Sequence, residues 1–513
     1  MKSEIDVLFV DPPMKQYDDN TFLYGNLYQP NTKKNKVFNP GILSIASYLL
    51  EEGINVKVIH CLDENEIKDK LDEIYELYAP KLIAVSCTYM HTYLPTIEIV
   101  KYCKKIFKDA YLVAGGEHIG DIPGIALREM PLDVVIQGEG EYSALKLIHA
   151  INGEGSLDDV GNIYFNRQFA RKFGILYSDK IEHFETSDFV NSTRVIKWTD
   201  VDLYKTIFKE KLMPLDDMPY VHYELYDNYM EYPPYIEESR GCYGKCEYCV
   251  SATCNTYRYK SYKRFLEELD YVIGIFGKEH VIPFMAANFG VNVNNTIKIL
   301  EGIVEKYGSL KWLSEFRLDL KWEKYIDLMH KSGCVSYGIG LESASPKILN
   351  IMKKTTHSDV YLQRSEELIK RIIAFGDSYV HLNFMFYIGE DPQTMSDNMG
   401  YISKHFKDIS IVHYSPVVLY SNTAAWENFD YFVQEYGSSV VFEEPYKSMH
   451  AYPVNVSDLY SYADGCYFSR IVEKMFVKTK GYMVNHETRV ARNENGEILE
   501  ESKDEYIERM LKN

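Results

Sequence analysis

The sequence predicts an α/β protein with two consecutive parallel-sheet domains. A doubly wound, Rossmann-like domain covers residues 1–151. A partial (βα)6 barrel covers 235–417, and a C-terminal segment of divergent pattern covers 418–513. Three observations carry this. Short apolar runs alternate with stretches of helical spacing from Ile5 to Ile136. The same alternation resumes at Tyr235 and runs to Val417. At 513 residues the chain also exceeds what one hydrophobic core organises.

Composition narrows the class. Hydrophobic residues at 46% and charged residues at 26% are those of an ordinary globular protein. The balance of 56 Lys and Arg against 75 Asp and Glu gives a net charge of −19 with no basic run, which argues against a nucleic-acid or anionic-membrane surface. No apolar window is long enough for a membrane span, and the N-terminus runs into a strand rather than a leader. Nine cysteines and no secretion signal fit a reducing cytoplasm, so a cytoplasmic protein without membrane or nucleic-acid partners is expected.

Taken in order, Ile5 to Val10 is an apolar run stopped by Asp11-Pro12-Pro13, a buried first strand ended by proline. Pro40 to Glu52 has helical spacing and a Gly53 stop. Strand 55–60, helix 64–78, strand 82–86, helix 94–107 and strands 111–114 and 134–136 follow. Such domains bind ligands at the loops leaving the carboxyl ends of their strands. Those loops are Asp11-Pro12-Pro13, Ser86 to His91, Gly115-Gly116-Glu117-His118 and Gly138-Glu139-Gly140-Glu141. Paired glycines admit close backbone approach, and the last loop opens a helix whose amides can take a phosphate. Simple turn geometry accounts equally well for each motif alone.

Residues 152–234 read as a linker with hairpin content, including a weak strand at 162–166, a basic patch at Arg167 to Lys172 and the stretch Met213 to Pro219. Barrel strands are expected at 235–239, 281–286, 310–317, 335–342, 379–388 and 409–417, with helices between them and catalytic groups at the C-terminal rim. Beyond 418, Asn495-Gly496 is a hairpin signal in a segment expected to shape the substrate pocket.

The chemistry concentrates in Glu237 to Cys249, where Cys242, Cys246 and Cys249 stand at C-x3-C-x2-C spacing. Such a loop can aim three thiolates at one cubane iron-sulfur cluster and leave the fourth iron open. A zinc site with Cys254 as fourth ligand is the alternative, but structural zinc usually takes two separated cysteine pairs and no second pair is present. A disulfide is disfavoured by the absence of a secretion signal.

With Tyr248 in its aromatic position, this loop resembles the signature of the radical S-adenosylmethionine (SAM) enzymes. The resemblance implies a [4Fe-4S] cluster on Cys242, Cys246 and Cys249. SAM would chelate the open iron through its amino and carboxylate groups, and one-electron reduction would cleave it to a 5'-deoxyadenosyl radical. Gly338-Ile339-Gly340-Leu341-Glu342-Ser343 resembles the family's fourth-strand motif, whose carboxylate accepts hydrogen bonds from SAM. Glu315-Phe316-Arg317 ends the third strand with two charges suited to a zwitterionic cofactor. Tyr248, Glu315, Arg317, Glu342 and Ser343 are therefore the expected SAM residues, with polar strand ends as the plain alternative. Ala286-Ala287-Asn288-Phe289 stands where the family has Asp-Asp-x-Phe, so acidic contacts are not carried over there.

In this order, the N-terminal motifs resemble the cobalamin-binding domain of the cobalamin-dependent radical SAM subgroup. The implied cofactor residues are Pro12, Ser86, Met90, His91, Gly115, Gly116 and Glu139, with base-off binding and the nucleotide tail near Gly115, Gly116 and Glu139. The stretch Asp11-Pro12-Pro13-Met14 lacks the imidazole of the Asp-x-His-x-x-Gly motif, which leaves His91 as the imidazole to consider at cobalt.

The resemblance implies methylation of an unactivated carbon using two SAM molecules per turnover. Radical cyclisation or ring rearrangement is the enzymatic alternative. A non-catalytic cobalamin or redox sensor would not need Tyr248, Glu342 and the full cysteine triplet together. A methylthiotransferase would need a second triplet, whereas Cys61, Cys87 and Cys103 lie on separate elements. The expected partners are a small-molecule or peptide substrate and an electron donor such as flavodoxin or ferredoxin.

Overall fold

The computed structural model describes residues 2–14, 36–63, 66–252, 256–480, 483–484 and 491–492. Two compact units emerge. The first takes in the described residues up to Tyr232 together with Phe442–Ala451, and the second takes in Pro233–Val441 and the described residues from Tyr452 onward. Cys254 and the Asn495-Gly496 hairpin signal lie outside the described residues.

In the first unit β1 (Ser3–Asp11), β2 (Val56–His60), β3 (Tyr78–Ser86), β4 (Tyr111–Gly115) and β5 (Val134–Ile136) pair in parallel in the order β2-β1-β3-β4-β5. Helices α1 (Pro40–Glu51), α2 (Glu66–Leu77), α3 (Tyr93–Ile106), α4 (Glu117–Asp121) and α5 (Pro123–Glu129) make the crossovers, and α6 (Glu141–Asn152) follows β5. Leu8, Val10, Ile83, Val85, Leu112, Ala114 and Val135 are buried in its core, as the near-continuous apolar runs of a parallel sheet require. Strand order reverses between β1 and β3, so the loops after Asp11 and Ser86 flank the topological switch point.

β3 begins at Tyr78, four residues before the expected start, because Tyr78 to Pro80 pair with Ser3 to Ile5. Pro80 is tolerated there because β4 joins only from Leu82, leaving the proline on a one-sided stretch.

Residues 152–232 are less a linker than an extension of this sheet. β6 (Ile163–Asn166) adds antiparallel to β5, and the hairpin β7 (Ile181–Asn191) and β8 (Arg194–Thr206) completes an eight-stranded order ending β5-β6-β8-β7. β6 covers the exposed edge that β5 would otherwise present. The basic patch becomes the short helix α7 (Arg167–Lys172). Met213, Leu215 and Met218 bury against Tyr48 of α1, with Tyr142 and Leu145 of α6 packed alongside.

The second unit carries six parallel strands in sequential order. They are β9 (Ile236–Glu237), β12 (Ile282–Met285), β13 (Trp312–Phe316), β14 (Cys334–Glu342), β15 (Tyr379–Phe386) and β16 (Ile411–Pro416). This is the strand set of the partial barrel. After β9 the chain turns into β10 (Ser239–Arg240), which pairs with β11 (Arg258–Tyr259) and brackets the cysteine loop. The helices between strands are α8 (Tyr262–Phe276), α9 (Val293–Tyr307), α10 (Ile326–Lys331), α11 (Pro346–Ile351), α12 (Ser358–Ile373) and α13 (Pro392–Lys404). Ser261, Asn292 and Asp391 cap α8, α9 and α13 through their side chains.

The divergent C-terminal pattern resolves into β17 (Val418–Leu419), β18 (Ser439–Val440) and β19 (Tyr452–Asn455) in one small antiparallel sheet. The helix α16 (Tyr462–Lys480) follows two shorter ones, α14 (Ala424–Glu427) and α15 (Phe429–Tyr436). Gly465 marks where α16 crosses the barrel sheet, since a Cβ there would lie 2.5 Å from Phe386 and 3.0 Å from Pro416.

Candidate active site

The cysteine loop is fastened from both sides. The Glu247 amide donates to the Met352 carbonyl at 2.8 Å, and the Glu247 carbonyl accepts from the Ala425 amide at 2.8 Å. The Glu247 carboxylate, almost fully buried, pairs with Lys353 at 2.7 Å and accepts from Asn428. These bonds hold the segment between Cys246 and Cys249 to α11 and to the C-terminal elements.

Two of the three sulfurs already receive hydrogen bonds. The Gly244 amide donates to Cys242 Sγ at 3.3 Å, and Arg317 Nη1 donates to Cys246 Sγ at 3.0 Å. Glycine at 244 keeps this arrangement uncrowded, because a Cβ would stand 3.0 Å from Arg317 Nη1 and 3.4 Å from Cys242 Sγ. An iron-sulfur cluster takes its cysteines as thiolates, and hydrogen bonds to those sulfurs tune it. Among the described residues no three His, Cys, Asp or Glu side chains gather as a single ion requires. A cubane instead takes each thiolate on a different iron.

Arg317, expected on SAM, is held by its own strand end and by the residues after α11. Its Nε and Nη2 donate to the two oxygens of Asp319 at 2.9 and 3.0 Å, Nη2 also donates to the Lys354 carbonyl at 2.7 Å, and its amide donates to Asn288 Oδ1 at 3.1 Å. Lys354, which the sequence reading missed, turns its buried ammonium to Glu342 Oε1 at 3.0 Å. Glu342 has a left-handed φ of +69°, directly after a register shift between Gly340 and Glu342 in the β14–β15 pairing.

Glu315 accepts from Asn383 Nδ2 at 2.9 Å across the width of β14. The two meet because the β14 positions opposite them are Gly338 and Gly340, which place no side chain between. Tyr248 is half-buried with its ring 5.8 Å from that of Tyr387, and burial together with the Glu342 charge raises its phenol far above the ordinary range. The fully buried Ser343 hydroxyl donates to Asn398 Oδ1 at 2.9 Å and accepts from the Ser345 amide at 3.0 Å, so it fixes the turn after β14.

In the first unit the loops after β1 and β3 are joined by Asn39, the N-cap of α1. Its Nδ2 donates to Asp11 Oδ1 at 2.9 Å and to Ser86 Oγ at 3.1 Å. Tyr226 donates to Asp11 Oδ2 at 2.9 Å, and His60 Nδ1 lies 2.8 Å from the Tyr232 hydroxyl. Ser86 thus belongs to a network that also includes Thr88 at 3.2 Å, and Pro12, next to Asp11, is buried. Met90 is buried, and burial pushes the half-buried His91 imidazole down to about 4, which keeps it neutral at physiological pH.

Gly116, at φ +117°, would place a Cβ 2.7 Å from the Cys87 carbonyl carbon, so glycine there lets the loops after β3 and β4 approach each other. His118 points inward and bonds the Met449 carbonyl at 2.9 Å. Gly138 is different: its φ is +76° and no heavy atom lies within 4 Å of a Cβ built on it, so the loop through Gly138 and Glu139 has open space where α6 begins. Glu139 is half-buried, as is Gly115.

Residues 31–148 match the B12 binding domain family model, and residues 236–401 match the radical SAM superfamily model. An uncharacterized methyltransferase of Pyrococcus horikoshii is 25% identical over 395 residues, 75% of this chain and 77% of that protein. Among solved structures, the radical SAM methyltransferase TsrM from Kitasatospora setae, with cobalamin and a [4Fe-4S] cluster bound, superposes with a TM-score of 0.65 at 14% identity, covering 97% of this chain and 83% of that one. The cobalamin-dependent radical SAM enzyme OxsB, with aqua-cobalamin and SAM bound, does so with a TM-score of 0.68 at 15% identity, covering 93% and 67%. At such identities these structures establish the shared fold. The chain carries a B12 binding domain followed by a radical SAM domain, the pair of domains that defines cobalamin-dependent radical SAM proteins.

Proposed function

We propose that this protein is a cobalamin-dependent radical SAM methyltransferase acting on an unactivated carbon. The observation that carries the reading is the cysteine loop at the rim of a six-stranded parallel sheet, with hydrogen-bond donors already aimed at Cys242 and Cys246, in a chain that also matches the B12 binding domain. When bound, the cluster and SAM supply a 5'-deoxyadenosyl radical, and cobalamin supplies a methyl group.

The chain's own residues position these groups. Cys242, Cys246 and Cys249 hold the cluster. Glu342 accepts hydrogen bonds from SAM, with Tyr248 walling the same end of the barrel and the Glu315–Asn383 pair giving a fixed polar surface. In the first unit Met90 and His91 would hold the corrin side of cobalamin, and the open loop at Gly138 and Glu139, with Gly115, would take its nucleotide tail. The substrate is a small molecule or peptide, and a low-potential donor such as flavodoxin or ferredoxin supplies the electron.

The class can be tested without knowing the acceptor. Anaerobically reconstituted protein is reduced in the presence of cobalamin and methyl-labelled SAM. Labelled methylcobalamin and S-adenosylhomocysteine, together with 5'-deoxyadenosine, are expected. Formation of 5'-deoxyadenosine without label on cobalamin would move the assignment to cyclisation or rearrangement, and absence of SAM cleavage would leave a sensor.

A further inference from the structure

We infer that Arg317 is a positioning residue for the cluster's electronics, donating a charge-assisted hydrogen bond to the Cys246 thiolate and raising the cluster's reduction potential, rather than a ligand for SAM. The inference rests on the cluster reading above.

The geometry leaves the guanidinium little freedom. Asp319 takes Nε and Nη2 in a two-pronged pair at 2.9 and 3.0 Å, and the Lys354 carbonyl takes Nη2 again at 2.7 Å. Asp319 is itself fixed by the Tyr243 hydroxyl at 3.0 Å, and Tyr243 sits within the cysteine loop. Only the Nη1 edge faces the sulfur, at 3.0 Å, and Gly244 gives it room. A bidentate guanidinium–carboxylate pair is rigid, so the remaining edge is aimed as well as charged.

The sign follows from charge. One-electron reduction adds a negative charge to a cluster bearing three thiolates. A donor fixed on one of those thiolates stabilises the reduced state more than the oxidised one, and hydrogen bonds to sulfur are among the levers that set such potentials. Arg317 is 8% exposed, so solvent screens the interaction little. The carboxylate of Asp319 opposes this effect while holding the fork in place. Removing the arginine and neutralising the aspartate therefore move the potential in opposite directions, which a general loosening of the loop would not do.

The test is an electron paramagnetic resonance redox titration of SAM-free, anaerobically reconstituted protein, with iron and sulfide counted in each sample. In Arg317→Met the reduced-to-oxidised ratio at a fixed potential is expected to fall about tenfold, a shift of about 59 mV for one electron. Arg317→Lys should fall between Met and wild type. In Asp319→Asn the ratio should rise. An unchanged midpoint in Arg317→Met with a full cluster overturns the inference, and weaker SAM binding at an unchanged midpoint restores the SAM-ligand role. If Arg317→Met holds no cluster, Asp319→Asn decides, and a midpoint that stays or falls refutes the claim. Absence of a cluster from the wild-type protein would instead strike the functional reading itself.

Discussion

Glu238, one residue past β9, is fully buried, and neither of its carboxylate oxygens has a hydrogen-bond partner among the described residues. Burial is the largest influence on it and raises its carboxyl from the ordinary 4.5 to about 7, against smaller lowering effects from Ser239 and the Lys260 charge. Because the folded protein holds this proton more tightly than the unfolded chain, wild-type stability falls as pH rises through the interval from 4.5 to 7. At about 1.4 kcal/mol for each pH unit of that interval, the full cost above pH 7 is about 3 kcal/mol, of which about 2 kcal/mol accrues between pH 5.5 and 8. Glu238→Gln keeps the shape and removes the ionisation. The variant should therefore gain on wild type by about 2 kcal/mol between those pH values. Denaturant unfolding followed by tryptophan fluorescence suits the assay, since Trp312, Trp322 and Trp426 all lie in the barrel unit and only Trp198 lies outside it. A stability difference that stays flat with pH would refute the reasoning.

Three further outcomes are expected. Alanine at Cys242, Cys246 or Cys249 should each abolish the cluster while Cys254→Ala retains it, as read by iron and sulfide content. His450, whose imidazole the Glu129 and Asp188 carboxylates lift to about 9 against the opposing effect of burial, contributes stability that is complete below pH 6.5 and lost as pH rises through 9. Amide exchange in Phe442–Ala451, corrected for intrinsic rate, should accelerate across that window, and His450→Gln should remove the pH dependence. The cob(II)alamin spectrum should lack a threefold nitrogen splitting, and His91→Ala should leave it unchanged.

What could be read from the sequence was what is local. The C-x3-C-x2-C spacing, the apolar parallel strands and the α1 start at Pro40 depend on neighbours within a turn or a strand. Hairpin content was expected in 152–234, but the β7 and β8 strands were not located, because many of their residues are exposed and the turn is the plain Ser192-Thr193. The site's polar pairs escaped for another reason. Arg317 to Cys246 spans 71 residues and Asn39 to Ser86 spans 47, and no periodicity joins such positions. Asn39 did carry a signal, as a capping residue before Pro40, but capping alone does not reveal that its amide also bridges Asp11 and Ser86. Gly116 and Ser343 show the reverse case: the motifs were legible, but the packing contacts of these residues to Cys87 and Asn398 were not.

Glu342 is where local rules fail most clearly. A non-glycine residue in the left-handed region costs on the order of 1 kcal/mol or more, and persists only where surrounding structure holds it. Here the register shift in the β14–β15 pairing and the Lys354 ion pair do the holding. The same lysine uses its backbone carbonyl to fix Arg317. Lys354 therefore joins the carboxylate proposed for SAM to the arginine on a cluster thiolate through one buried residue. A cofactor that brought its own ammonium to Glu342 would compete with Lys354, and any displacement of Lys354 would be felt at the Arg317 fork 2.7 Å from its carbonyl. Strain held by a replaceable ion pair is the arrangement expected of a residue that must exchange partners when its ligand arrives.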